Sequence, residues 1–148
     1  MPGIPVCHGL VAGRYLVLDY LAAVPYRRAE IADRDEWFRR LYETIRTMHG
    51  RGVAHGDLKR KANLFAGEGG QPWILDFGTA YLRRPGFHPV NHALFDYLAQ
   101  TDRNAWAKHK YHGDYAKAAA AESGILRYSR LEAAASAWRK RRDRRRAR

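Results

Sequence analysis

The sequence predicts an α+β domain that is mostly helical, and three features carry that prediction. A capped amphipathic segment follows Asp33, two short apolar runs flank a glycine-rich turn between Asn63 and Asp76, and from Pro89 onward the apolar spacing is helical. With 148 residues, 46% of them apolar, the chain can build one core, so a single compact domain is expected.

The first element is read from Tyr15-Leu16-Val17-Leu18, an apolar and partly β-branched run preceded by Gly13. It predicts a buried strand ending near Asp19 and Tyr20. Pro25 marks a loop. Asp33 is placed to cap a helix, with Glu36 three residues later reaching back to complete a capping box. Trp37, Phe38, Leu41, Ile45 and Met48 then recur at helical spacing, and Gly50 and Gly52 supply the stop, so a helix is expected over 34–49. Residues 63–66 and 73–76, separated by Gly67-Glu68-Gly69-Gly70-Gln71-Pro72, read as a β-hairpin. Helical pieces follow near 90–101, 103–111, 114–122 and 129–142, with Gly113 and Gly124 as breaks. Trp37, Trp73, Trp106 and Trp138 read as core anchors rather than nucleotide-stacking groups.

The formal charge of +12 is uneven: residues 139–148 hold eight Lys or Arg and one Asp, hence +7. Such a block is most simply a solvated helix end; its alternative role is contact with an anionic partner such as RNA, lipopolysaccharide or lipid. The single cysteine, Cys7, excludes an internal disulfide and a cysteine-rich zinc site, which fits a reducing cytoplasm. Arg14, Asp19, Arg27 and Arg28 interrupt every N-terminal stretch that might otherwise span a bilayer. His8, His49, His88, His92, His109 and His112 lack metal-ligand spacing and read as surface or packed histidines.

The residues with chemistry lie in series. His55-Gly56-Asp57-Leu58-Lys59 precedes Asn63, and Asp76-Phe77-Gly78 follows the hairpin. Transfer of a γ-phosphoryl group needs a carboxylate near the attacking hydroxyl and oxygen ligands that hold magnesium against the nucleotide phosphates. Asp57, Asn63 and Asp76 offer those oxygens, and Lys59 a charge to neutralise the phosphate in transfer. A hairpin between them brings its two flanks together without long-range pairing. Taken singly, Asp57 reads equally as a cap and Asp76-Phe77-Gly78 as a strand end with a turn.

In series these motifs resemble the protein kinases, whose catalytic loop reads His-Arg-Asp-Leu-Lys with a downstream Asn and whose metal-binding turn reads Asp-Phe-Gly. Gly56 in place of Arg is similar to the atypical RIO-like, Bud32-like and lipopolysaccharide-core kinases. The resemblance covers residues 15–80. It implies that Asp57 is the catalytic base, Asn63 and Asp76 are magnesium ligands, and His55, Phe77 and Gly78 support the site. It also implies that Asp19, Tyr20 and Leu21 form a hinge facing adenine, with ATP and Mg2+ as cofactors. The fold it implies is a kinase-like C-terminal lobe over residues 1–138, with the N-terminal lobe largely missing and residues 139–148 a basic tail.

Three departures from the family pattern follow. Asn63 lies six residues after Asp57 rather than five, so either the intervening loop makes an extra turn or Asn63 is displaced. Residues 79–88 leave no room for a phosphorylated activation segment, and no Ala-Pro-Glu follows. Upstream of Tyr15 there is no glycine-rich loop, strand lysine or partner glutamate, which raises the expectation that a small lobe precedes Met1 in the gene. The expected activity is Mg-assisted phosphotransfer from ATP to a hydroxyl, on protein serine or threonine first, with a lipopolysaccharide-core sugar as the alternative. A catalytically silent kinase-like binding module and a primarily RNA-binding protein are the competing readings.

Overall fold

The computed structural model of the chain describes residues 1–122 and 124–126. They form an α+β fold of short antiparallel sheets and three α-helices. Strands β1 (Cys7–Val11) and β2 (Tyr15–Leu18) make an isolated hairpin. β3 (Ala23–Pro25), β5 (Leu64–Gly67) and β6 (Pro72–Ile74) form a three-stranded sheet in that order. β4 (Val53–Ala54) pairs with β7 (Tyr81–Leu82). The helices are α1 (Arg34–Gly50), α2 (Pro89–Lys110) and α3 (Tyr115–Ala121). The helical stretch expected over 129–142, Trp138 and the basic tail lie outside the described residues. Among the described residues no helix is long and apolar enough to cross a membrane.

α1 forms where its cap and spacing place it. The Asp33 side chain accepts from the backbone N–H of Glu36 at 2.9 Å, satisfying one of the helix's orphan donors. The capping box is only half made. Arg39 (2.6 Å) and Arg40 (2.8 Å) take the Glu36 carboxylate and hold its pKa down to about 2, because two guanidiniums outcompete one backbone N–H. The other face of α1 buries Trp37, Phe38, Leu41 and Ile45 in one cluster with Leu58, Leu64, Ile74 and Trp106 of α2, and Met48 is buried on the same helix. The Trp106 indole N–H donates to the Phe38 carbonyl at 2.7 Å, so the second helix is keyed to the first by a buried hydrogen bond as well as by area.

Two elements depart from expectation. The run 15–18 is a strand, but it is exposed rather than buried: Leu10, Tyr15 and Leu16 are 60%, 65% and 59% accessible. Its continuous apolar run has no covering layer to meet among the described residues, so the β1–β2 hairpin stays largely exposed. Segments 90–101 and 103–111 are one helix: Asp102, which falls between the two expected pieces, is buried within α2 and its carboxylate is engaged across the core.

His109, near the end of α2, is fully packed. Its Nε2 donates to the Leu58 carbonyl at 2.8 Å while Nδ1 faces the Tyr26 hydroxyl at 3.5 Å. Burial pushes its pKa down to about 4, with the cations of Lys61, Lys108 and Arg27 adding to the effect and the Leu58 hydrogen bond opposing it. A histidine that titrates lower in the fold than in the unfolded chain contributes stability that is complete above about pH 6.5 and lost as pH falls toward 4. Urea midpoints measured between pH 7 and 4.5 should therefore fall, and His109→Gln, which keeps a donor for Leu58, should flatten that slope. An unchanged slope in the variant would assign the acid sensitivity to other groups.

Candidate active site

The loop after β4 and the turn after β6 are tied together through His55. Its ring is buried. Nε2 donates to the Leu75 carbonyl at 3.0 Å, and Nδ1 accepts the backbone N–H of Asp57 at 3.2 Å, so the two partners fix the tautomer. One imidazole thus holds the residue before Asp76 and the main chain of Asp57 at the same time. The Phe77 ring packs on it at 4.9 Å between centroids.

Asn63 makes a second tie. Its Nδ2 donates to the Asp57 carbonyl at 3.1 Å, and its own carbonyl accepts the Leu75 N–H at 2.9 Å. The extra residue between Asp57 and Asn63 is absorbed by a single 3₁₀ turn, Lys61–Asn63, which opens the hairpin. Asn63 is buried at the head of β5, Asp57 is half-buried, and Asp76 is exposed. Asp76 occupies the left-handed region (φ 65°, ψ 70°), and its Oδ1 faces the Gly78 N–H at 3.4 Å, so the turn is closed by its own first residue. Arg60 Nε lies 3.5 Å from the Asp57 carboxylate, and Lys59 is exposed on the same loop.

The loop is also held from below, by a residue the sequence reading did not select. Asp102 of α2, with no exposed surface, accepts the N–H of His55 at 2.8 Å and of Gly56 at 3.0 Å, and a third bond from His49 Nε2 at 3.0 Å. The available signal was helical spacing: Leu98, Ala99, Ala105 and Trp106 stand three and four residues either side of Asp102, which places it on an apolar face, where a buried carboxylate needs donors. Gly56 sits at φ 81°, and a Cβ on it would meet the Thr79 carbonyl oxygen at 3.0 Å. That close approach, with the Thr79 hydroxyl donating to the His55 carbonyl at 3.1 Å, is the local reason glycine stands before Asp57.

Asp76, Phe77 and Gly78 form one wall of a cleft of about 720 Å³. Met48 and Val53 line its floor, the N-terminal segment adds Ile4, and the β1–β2 hairpin supplies Cys7, Leu16 and Leu18. The backbone Ile74 N–H donates to the Gly3 carbonyl at 2.8 Å and keeps that N-terminal segment on the edge of β6. The three residues expected as an adenine hinge do not line this cleft. Asp19 is turned toward β1, accepting from the Val6 N–H at 3.0 Å and pairing with His8 at 2.6 Å, and these bonds hold its pKa below the ordinary carboxylate range. Tyr20 is 94% exposed and Leu21 is half-buried beside β3.

No family model and no curated protein matches this chain. Among the described residues no group of three or more His, Cys, Asp or Glu could hold a metal ion. A cation beside Asp76 and Asn63 would draw on one carboxylate and one amide oxygen and fill its shell with phosphate oxygens and water. That donor set fits magnesium, which keeps much of its hydration and takes few protein ligands.

Proposed function

We propose that this chain is a compact ATP-dependent phosphotransferase of the protein-kinase-like superfamily, or the large-lobe portion of one. The observation that carries the reading is the double tie through His55 and Asn63, which holds the Asp57 loop against the Asp76 turn, and that turn lines a largely apolar cleft. A strand end or a simple cap needs no such cross-bracing, whereas a site that must keep a base and a cation ligand in fixed relation does.

In this reading Leu16, Leu18, Met48 and Phe77 receive the faces of the adenine ring, and Asp76 with Asn63 would hold Mg2+, which shields phosphate charge when bound. Asp57 takes the proton of the acceptor hydroxyl as its oxygen bonds to the γ-phosphorus. The bond from that phosphorus to the β–γ bridging oxygen breaks, and ADP leaves with the electron pair. Lys59 lies two residues away on the same loop, where an ammonium offsets charge on the transferring group.

A catalytically silent binding module is the second reading. It is favoured by the exposure of Asp76 and by the thin β1–β2 roof over the cleft. Cys7 separates the two, being the sole cysteine, exposed, and part of the cleft wall. Alkylation of Cys7 by iodoacetamide should slow several-fold when ATP and Mg2+ are present, and the same sample should release ADP. Protection without ADP release would select the silent module; no protection at millimolar nucleotide would remove the cleft as a nucleotide site.

A further inference from the structure

A second cavity, of about 310 Å³, lies where the loop after β3 meets the 3₁₀ turn of the Asp57 loop. Its lining includes Arg27, Arg34, Lys61, His112 and Tyr26, with no carboxylate among its lining residues. Several cations elsewhere among the described residues are matched: Arg39 and Arg40 with Glu36, Arg83 with Asp96, Lys110 with Glu122. Here Arg27, Lys61 and nearby Lys108 have no ion-pair partner among the described residues.

Arg27, Arg34 and Lys61 face the same concavity. Arg34 is fixed in place: one terminal nitrogen donates to the His109 and Lys110 carbonyls at 2.8 and 3.4 Å, and its guanidinium lies 4.6 Å over the Phe38 ring. Bonding through that one nitrogen leaves donors on the rest of the guanidinium fork. Gathering like charges around a concavity is unfavourable unless an anion enters it, and a guanidinium with an ammonium is the usual donor set for a phosphate.

We propose that this cavity is a subsite for a phosphate monoester, held by Arg27, Arg34 and Lys61. Lys61 stands four residues after Asp57 on the same loop, so the subsite selects an acceptor that already carries a phosphate. The subsite stands on its cations; its assignment to the acceptor rests on the phosphotransferase reading above. A volume near 310 Å³ is at the small end of ligand pockets and suits a phosphate with one ring, such as a sugar phosphate.

The test titrates the full chain, without nucleotide, with inorganic phosphate, mannose 6-phosphate and mannose, following heat of binding. Phosphate and mannose 6-phosphate should bind and mannose should not. The double variant R27Q/K61Q should weaken both by at least about tenfold, the loss expected when charge-assisted bonds to phosphate are removed. A companion full-length variant, R144Q/R145Q/R146Q, should bind as the parent does. Loss of binding in the tail variant with retention in R27Q/K61Q would overturn the subsite, as would equal affinity in parent and R27Q/K61Q. In the presence of ATP and Mg2+, ADP release should be faster with mannose 6-phosphate than with mannose. Phosphate binding as expected with no ADP release from any acceptor would overturn the acceptor assignment and the phosphotransferase reading while the anion subsite stood.

Discussion

Replacing Asp102 with alanine is expected to cost the fold about 3–5 kcal/mol, the usual penalty for removing one partner of a buried charged network. The carboxylate accepts three hydrogen bonds, from His55 N–H, Gly56 N–H and His49 Nε2, and its removal leaves all three donors without that acceptor at a position with no exposed surface. Small domains are stable by about 5–15 kcal/mol, so the variant would lose a large share of its margin. Asp102→Asn keeps one acceptor oxygen but turns an NH₂ toward a donor, and should fall between parent and alanine. Urea unfolding followed by tryptophan fluorescence measures both; a loss under about 1 kcal/mol for Asp102→Ala would show that the network is not carrying the loop.

On the phosphotransferase reading, substituting Asp57 or Asp76 is expected to do the reverse, sparing the fold and removing the proposed chemistry. Asp57→Asn leaves the bonds that hold the loop intact, because Asn63 grips the Asp57 carbonyl and His55 its N–H, both of them main-chain groups. The exposed 3.5 Å approach of Arg60 loses its charge, and such contacts contribute little. Asp76→Asn also preserves the turn, since asparagine tolerates the left-handed backbone at φ 65° better than alanine. Loss of a general base typically lowers a rate by about 10²–10⁴-fold, and each variant should lower Mg-dependent ADP release by at least about 10²-fold with an unchanged urea midpoint. Activity surviving Asp76→Asn would refute the assignment of Asp76 to the cation; a fallen midpoint in either variant would show that the carboxylate was structural.

These two pairs of variants probe different layers of one site, and the contrast explains what could be read in advance. Asp57, Asn63 and Asp76 stand within 20 residues, around a hairpin whose two strands and turn are written in local apolar and glycine patterning. Their juxtaposition follows from short-range chain return. Asp102 lies 46 and 47 residues beyond the groups it anchors, and the cavity joining Arg27 and Arg34 to Lys61 draws on separate segments, so neither leaves a local pattern.

By itself the sequence determined α1 with its Asp33 cap, the hairpin of β5 and β6, and the order of the site loops, because helix spacing and turn chemistry act over a few residues. Only the tertiary structure decided that β2 is exposed, that Asp19 turns to β1, that Glu36 serves two arginines, and that α2 runs unbroken through a buried aspartate. Burial and charge pairing depend on which distant segments arrive beside a residue, and one-dimensional spacing does not encode that arrival.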